Sequence, residues 1–184
     1  EADRYDPARD YFSFANTDQF VMHNLSLELA VDFDARELRG SAMLSMRRLD
    51  EAATTIMLDT RDITVGGAFV EWADSGPVAA DYEFGEIDPI NGRPLIIELP
   101  EAAAGASDFD LRLDYATSPD ASALQWLPPE LTSGGKHPLM FSQSQAIHAR
   151  SWVPLQDTPA VRITYDAVIK TPPELLAVKS ANND

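Results

Sequence analysis

The chain has 184 residues, 45% of them hydrophobic and 24% charged, which is enough apolar content for a sizeable core and argues against wholesale disorder. Asp and Glu number 30 against 14 Lys and Arg, and the formal net charge of -16 opposes nucleic acid or an anionic membrane as the main partner, since both require a basic face. Cysteine is absent, which excludes disulfides, thiolate metal sites and a cysteine nucleophile.

The chain opens on charged Glu1-Ala2-Asp3-Arg4, without the pattern of a secretory leader, and nowhere carries an apolar run long enough to span a bilayer as a helix. From Leu25 to Phe33, Leu25, Leu27, Leu29, Val31 and Phe33 alternate with Ser26, Glu28, Ala30 and Asp32, which predicts a half-buried antiparallel strand. Ala42, Leu44 and Met46 repeat the pattern, with Asp34-Ala35-Arg36 as the hairpin turn between the two segments. Ile56–Leu58, Ile63–Val65, Phe69–Trp72 and Leu95–Leu99 are shorter strand candidates, with Gly66-Gly67 marking a bulge or tight turn. Asn91-Gly92 resembles a hairpin turn, because both residues tolerate positive φ. Phe109, Leu111, Leu113 and Tyr115 alternate cleanly, as do Val161, Ile163, Tyr165, Ala167 and Ile169, and Leu175–Val178 is a last strand candidate. Glu28, Asp32, Asp108, Asp110 and Asp114 fall on the outward phase of their strands, where they solvate the sheet and discourage edge pairing. The best helix candidate is a short turn around Ser144–Ser151, halted ahead of Pro154. Many short strands with frequent turn residues predict an all-β fold, a β-sandwich of mostly antiparallel sheets.

Motifs for catalysis are missing. His23, His137 and His148 form no H-E-x-x-H pair, Ser142 and Ser144 near His148 stand in no G-x-S-x-G elbow, and Ser133-Gly134-Gly135-Lys136 lacks the spacing of a phosphate loop. Residues 122–160 stand apart as a Pro- and Gly-rich polar stretch without alternation, which predicts a functional loop or a crossing between sheets. It carries Gln143, Gln145 and Gln156. Glutamine is neutral and offers both donor and acceptor, so it suits holding an amine or amide, or satisfying backbone groups of the loop itself.

The same stretch resembles the leukotriene hydrolase/aminopeptidase group of zinc metallopeptidases. The resemblance rests on Ala123-Leu124-Gln125-Trp126-Leu127, Lys136-His137-Pro138, Phe141-Ser142-Gln143-Ser144-Gln145-Ala146-Ile147, Ala149-Arg150-Ser151-Trp152-Val153-Pro154 and Gln156-Asp157-Thr158-Pro159. It implies a saddle-like N-terminal β domain filling residues 1–184, followed in such enzymes by a zinc-bearing catalytic domain whose H-E-x-x-H and G-x-M-E-N motifs do not occur in this chain. It further implies that Gln143, Gln145 and Ala146 bind the N-terminus of a peptide substrate, that no metal belongs to this chain, and that the partners are the peptide and the catalytic domain. On this footing the 184-residue chain is expected to be inactive alone, with orientation rather than bond-breaking as its task. A hydrolase that uses His148 with a nearby serine or carboxylate is a third and lesser expectation.

Four positions depart from the group's pattern. Ser144 and Leu155 stand where cysteine is common, Leu131 where glutamine is, and Lys179 where methionine is. The departures fit an excised and engineered β domain, serving as a protein-binding or design scaffold, and they fit equally a natural cysteine-poor homologue. The compartment is open.

Overall fold

Alternation of apolar and polar residues does produce sheets. The computed structural model describes residues 10–183, so the opening Glu1-Ala2-Asp3-Arg4 and the final Asp184 lie outside the described residues. β1 (Phe20–Asp32) and β2 (Glu37–Arg48) form the long hairpin expected around residues 34–36. The partner on the other side of β2 is β8 (Asp108–Ala116), which pairs in turn with β4 (Thr64–Glu71). With β5 (Val78–Ala79) and β11 (Thr164–Lys170) at its two edges, the large sheet has the order β11-β1-β2-β8-β4-β5. Among the described residues its only parallel pair is β1 with β11. A second sheet has the order β3-β7-β6, built from Thr55–Thr60, Arg93–Glu98 and Tyr82–Phe84. β9 (Leu124–Leu127) and β10 (Leu139–Ser142) form a separate two-stranded ribbon.

The two larger sheets bury one continuous apolar core. Leu29, Leu44, Leu111 and Leu113 come from the large sheet, and Ile56, Leu58, Leu95 and Ile97 from the smaller one, all fully buried. Side chains two apart share a face of a strand, so the alternating leucines of β1, β2 and β8 all point inward while Glu28, Asp108 and Asp114 remain outside. The fold is an all-β sandwich, as the alternation predicts.

Several local expectations need revision. Ile63–Val65 and Phe69–Trp72 belong to one strand, β4, because the Gly66-Gly67 bulge shifts its register between Val65 and Gly67 without breaking it. At the Asn91-Gly92 turn only Gly92 takes a positive φ, 84°, and Asp88 and Gly92 bond each other's backbone across Pro89–Asn91. A Cβ at Gly92 would collide with the Thr60 carbonyl oxygen, so glycine is required there. Leu175–Val178 is not a strand. Pro172 and Pro173 supply no N–H to a ladder, and Leu176 and Val178 lie open to solvent. β11 begins only at Thr164, since Val161 is held in a turn by its bond to the Thr158 carbonyl. Residues 122–160 are not one uninterrupted loop but carry β9, β10 and two 3₁₀ turns, 129–131 and 149–151; the short turn expected around 144–151 is present, closed by the His148 N–H on the Ser144 carbonyl and continued by the second of them.

Candidate functional site

The site is a loop with a buried root. Residues 143–148 leave the end of β10 and return through the 3₁₀ turn Ala149–Ser151. Gln143, Gln145 and Ala146 are all exposed. The Gln143 side-chain oxygen accepts the Gln145 N–H at 3.3 Å, and the peptide between Gln145 and Ala146 is cis. The Gln145 carboxamide has no hydrogen-bond partner among the described residues. The structure therefore brings the three predicted residues together on one presented segment and leaves a donor–acceptor group free on it.

Beneath the loop lies a polar network that sequence reasoning does not find. Arg150 is fully buried. Its Nε donates to the Asp157 carboxylate at 3.0 Å, its Nη1 to the Asn91 carbonyl at 2.8 Å and its Nη2 to the Asp157 carbonyl at 3.0 Å. The carboxylate of Asp59, also fully buried, stands 3.6 Å from Arg150 Nη1. Asp59 accepts from the Ser13 hydroxyl at 2.6 Å, the Phe14 N–H at 2.7 Å and the Asp157 N–H at 2.9 Å. Burial pushes the Asp59 carboxyl above its ordinary value, against the downward pull of Ser13, Phe14, Arg150 and Asp157. The network ties β3, the 88–92 turn and the segment after β10 into one anchor.

Gln156 belongs to the anchor as well. Its side-chain oxygen accepts the Met22 N–H and its amide donates to the Phe20 carbonyl, both at 2.8 Å. Both partners lie at the start of β1, where the ladder leaves them unpaired. The reading of glutamine as a satisfier of backbone groups thus holds for Gln156 and not for Gln145. The signal that could have separated them is their neighbourhood: Gln156 follows Trp152-Val153-Pro154-Leu155, whereas Gln145 sits among small and polar residues.

His148 does meet a serine, but a different one from those near it in sequence. The Ser122 hydroxyl lies 2.8 Å from His148 Nδ1, and the Arg61 guanidinium reaches the same nitrogen at 3.4 Å. Ser144 instead accepts from the Trp152 indole N–H at 3.1 Å. No carboxylate bonds the imidazole among the described residues, so no third member of a serine–histidine–carboxylate arrangement is seen beside the pair. Among the departures from the group's pattern, Lys179 packs its ammonium 4.4 Å from the Trp152 ring centroid, Leu155 bridges Asp59, and Leu131 is exposed. Burial holds the Lys179 ammonium below the usual lysine value.

Residues 5–183 match the Peptidase M1 N-terminal domain. The chain belongs to this family. It is 39% identical over 175 residues to the leukotriene A-4 hydrolase of Xenopus laevis, covering 95% of this chain and 28% of that protein. Leucine aminopeptidase 2 of Phaeosphaeria nodorum is 37% identical over 170 residues, 92% of this chain and 26% of that one. The structure of yeast LTA4 hydrolase in complex with bestatin superimposes with a TM-score of 0.81 at 31% identity, over 91% of this chain and 25% of the other. An M1 zinc metallopeptidase from Deinococcus radiodurans, at 18% identity and a TM-score of 0.62 over 90% of this chain and 37% of that one, shares the fold. The chain spans about a quarter of the length of the curated relatives it matches.

Among the described residues of this chain no three His, Asp or Glu side chains are grouped to hold a metal ion. No helix among the described residues is long and apolar enough to cross a membrane.

Proposed function

We propose that this chain is the substrate-positioning β domain of a zinc aminopeptidase, that Gln143, Gln145 and Ala146 receive the N-terminus of a peptide, and that the 184-residue chain does not hydrolyse peptides by itself. The observation that carries the reading is the contrast within one segment: the loop is rooted by buried, hydrogen-bonded polar groups, yet presents the Gln145 carboxamide with no partner among the described residues. A carboxamide oxygen can accept from a protonated α-amine and its N–H can donate to the first peptide carbonyl. Holding a substrate this way removes part of the entropic barrier to a reaction whose zinc-dependent chemistry is supplied by a catalytic domain.

Two measurements test the reading. The purified 184-residue chain should show no turnover of aminoacyl-anilides or short peptides, and turnover that survives a zinc chelator would sink it. In the longer zinc enzyme, Gln145→Ala should raise KM by about tenfold while bound zinc is unchanged, the pattern of a lost binding contact. An unchanged KM would remove Gln145 from the site.

A further inference from the structure

The return end of the loop is gripped by groups that substrate binding leaves unused. Ala123, fully buried just ahead of β9, is held from both sides. Its carbonyl accepts the Gln143 N–H at 2.8 Å, and its own N–H donates to the Ser151 hydroxyl at 2.9 Å. That hydroxyl, also fully buried, donates onward to the His148 carbonyl at 2.8 Å. The entry and exit of residues 143–148 are thereby closed onto one backbone residue.

A second contact lies outside the first. Arg61 Nη1 is 3.3 Å from the Ser122 hydroxyl and 3.4 Å from His148 Nδ1, and its Nη2 donates to the Ile90 carbonyl. A guanidinium only donates, so the geometry suits Nδ1 as the acceptor of this cluster. Ser122 then donates to Nδ1, and the imidazole is fixed by two donors against the 118–123 segment.

We propose that Ser151 and the Ser122–His148 pair are positioning residues, a two-layer clamp that holds residues 143–148 in one arrangement before substrate arrives. The proposal rests on the substrate-positioning reading of the loop. Ordering a free loop at the moment of binding would cost conformational entropy, and a clamp installed by folding removes that cost from the binding step.

Hydrogen exchange on the 184-residue chain reads the clamp directly. Ser151→Ala should speed exchange of the His148 amide, which donates to the Ser144 carbonyl, by about tenfold or more as the loop opens locally. In the longer zinc enzyme the same change should raise KM by about fivefold with bound zinc unchanged, and should add little to Gln145→Ala, because two residues acting through one contact are not additive. If Ser151→Ala does not fold, Ser122→Ala removes the exposed layer alone and should move exchange and KM in the same direction by less. Unchanged exchange and KM in whichever variants fold overturns the proposal, and so does full additivity with a Gln145→Ala enzyme whose own KM is raised. Faster exchange in Ser151→Ala beside a Gln145→Ala enzyme of normal KM upholds the clamp and sinks the substrate reading, so the two failures are told apart.

Discussion

Gln145 and Gln156 lie on one connected stretch of chain, carry the same side chain, and have opposite fates. Gln156 is 2% exposed and spends both ends of its carboxamide on the backbone of β1. Gln145 is exposed and its carboxamide is bonded to nothing described. The same division separates Arg150, Ser151 and Gln156, whose polar groups are buried and bonded inside the protein, from Gln143 and Gln145, whose side chains are exposed. A polar group withdrawn from water must be satisfied inside the protein or it destabilises the fold, so the first region is structural by necessity. The second is under no such demand and is free to bind something else.

The largest expected effect comes from breaking the buried region at Arg150. Arg150→Ala leaves the Asp59 carboxylate uncompensated and orphans the Asn91 and Asp157 carbonyls, and should lower unfolding free energy by about 3–5 kcal/mol in urea denaturation of the 184-residue chain. Because burial raises the native pKa of Asp59 above its unfolded value, the native state favours the proton. The stability this lends is complete below the ordinary carboxylate range and is lost as pH rises through the native pKa. The Arg150→Ala deficit should therefore narrow as pH falls from neutral toward that range. A deficit independent of pH would mean that Asp59 is not the charge left exposed.

Gln156→Ala comes next. It strands the buried Met22 N–H and Phe20 carbonyl, at a cost of about 2–3 kcal/mol in the same denaturation experiment. A cost below about 0.5 kcal/mol, the level of an ordinary surface change, would erase the distinction between the two glutamines.

This distinction also marks where the sequence stops being legible. The leucine alternation of β1, β2 and β8 reads directly because a period of two leaves no other way to bury Leu25, Leu27 and Leu29 on one face. Pairing does not read that way. Nothing local in Thr164–Lys170 announces a parallel partner in β1, a contact made across more than a hundred residues. The candidate loop is singled out through its resemblance to a family, which implies a substrate role for Gln143, Gln145 and Ala146 and carries Arg150, Gln156 and Asp157 in the same strings without giving them one. Burial ranks them, and burial depends on Asp59, Ser13 and Asn91, which are distant in sequence and ordinary in composition. Leu175–Val178 errs for the opposite reason: apolar content suggests a strand, but two prolines precede it and it pairs with no strand among the described residues.

Lys179 gives a smaller test on the margin between the two regions. Its ammonium packs on the Trp152 ring, whose indole N–H bonds Ser144 in the loop. Burial lowers its native pKa below the unfolded value, so the charge is carried at some cost at neutral pH, and that cost is relieved as pH rises through the native pKa toward the ordinary lysine value. Lys179→Met should stabilise at neutral pH by less than about 1 kcal/mol, since the lost cation–π contact is itself worth about 0.5–1 kcal/mol. The gain should shrink in denaturation experiments at alkaline pH. A gain that grows with pH would show that the lysine charge is favourable where it sits.

The smallest stability effect is expected at Gln145, and it tests the comparison most sharply. Gln145→Ala removes an exposed side chain whose carboxamide bonds nothing described, so unfolding free energy should stay within about 0.5 kcal/mol of the parent chain. Gln156→Ala, the same change in chemistry, should by then have cost several times as much. Were Gln145→Ala to destabilise the isolated chain by 1 kcal/mol or more, on the order of a lost hydrogen bond, its carboxamide would be holding the fold together. The loop would then be part of the anchor, and the case for a group kept free to meet a substrate would fall with it.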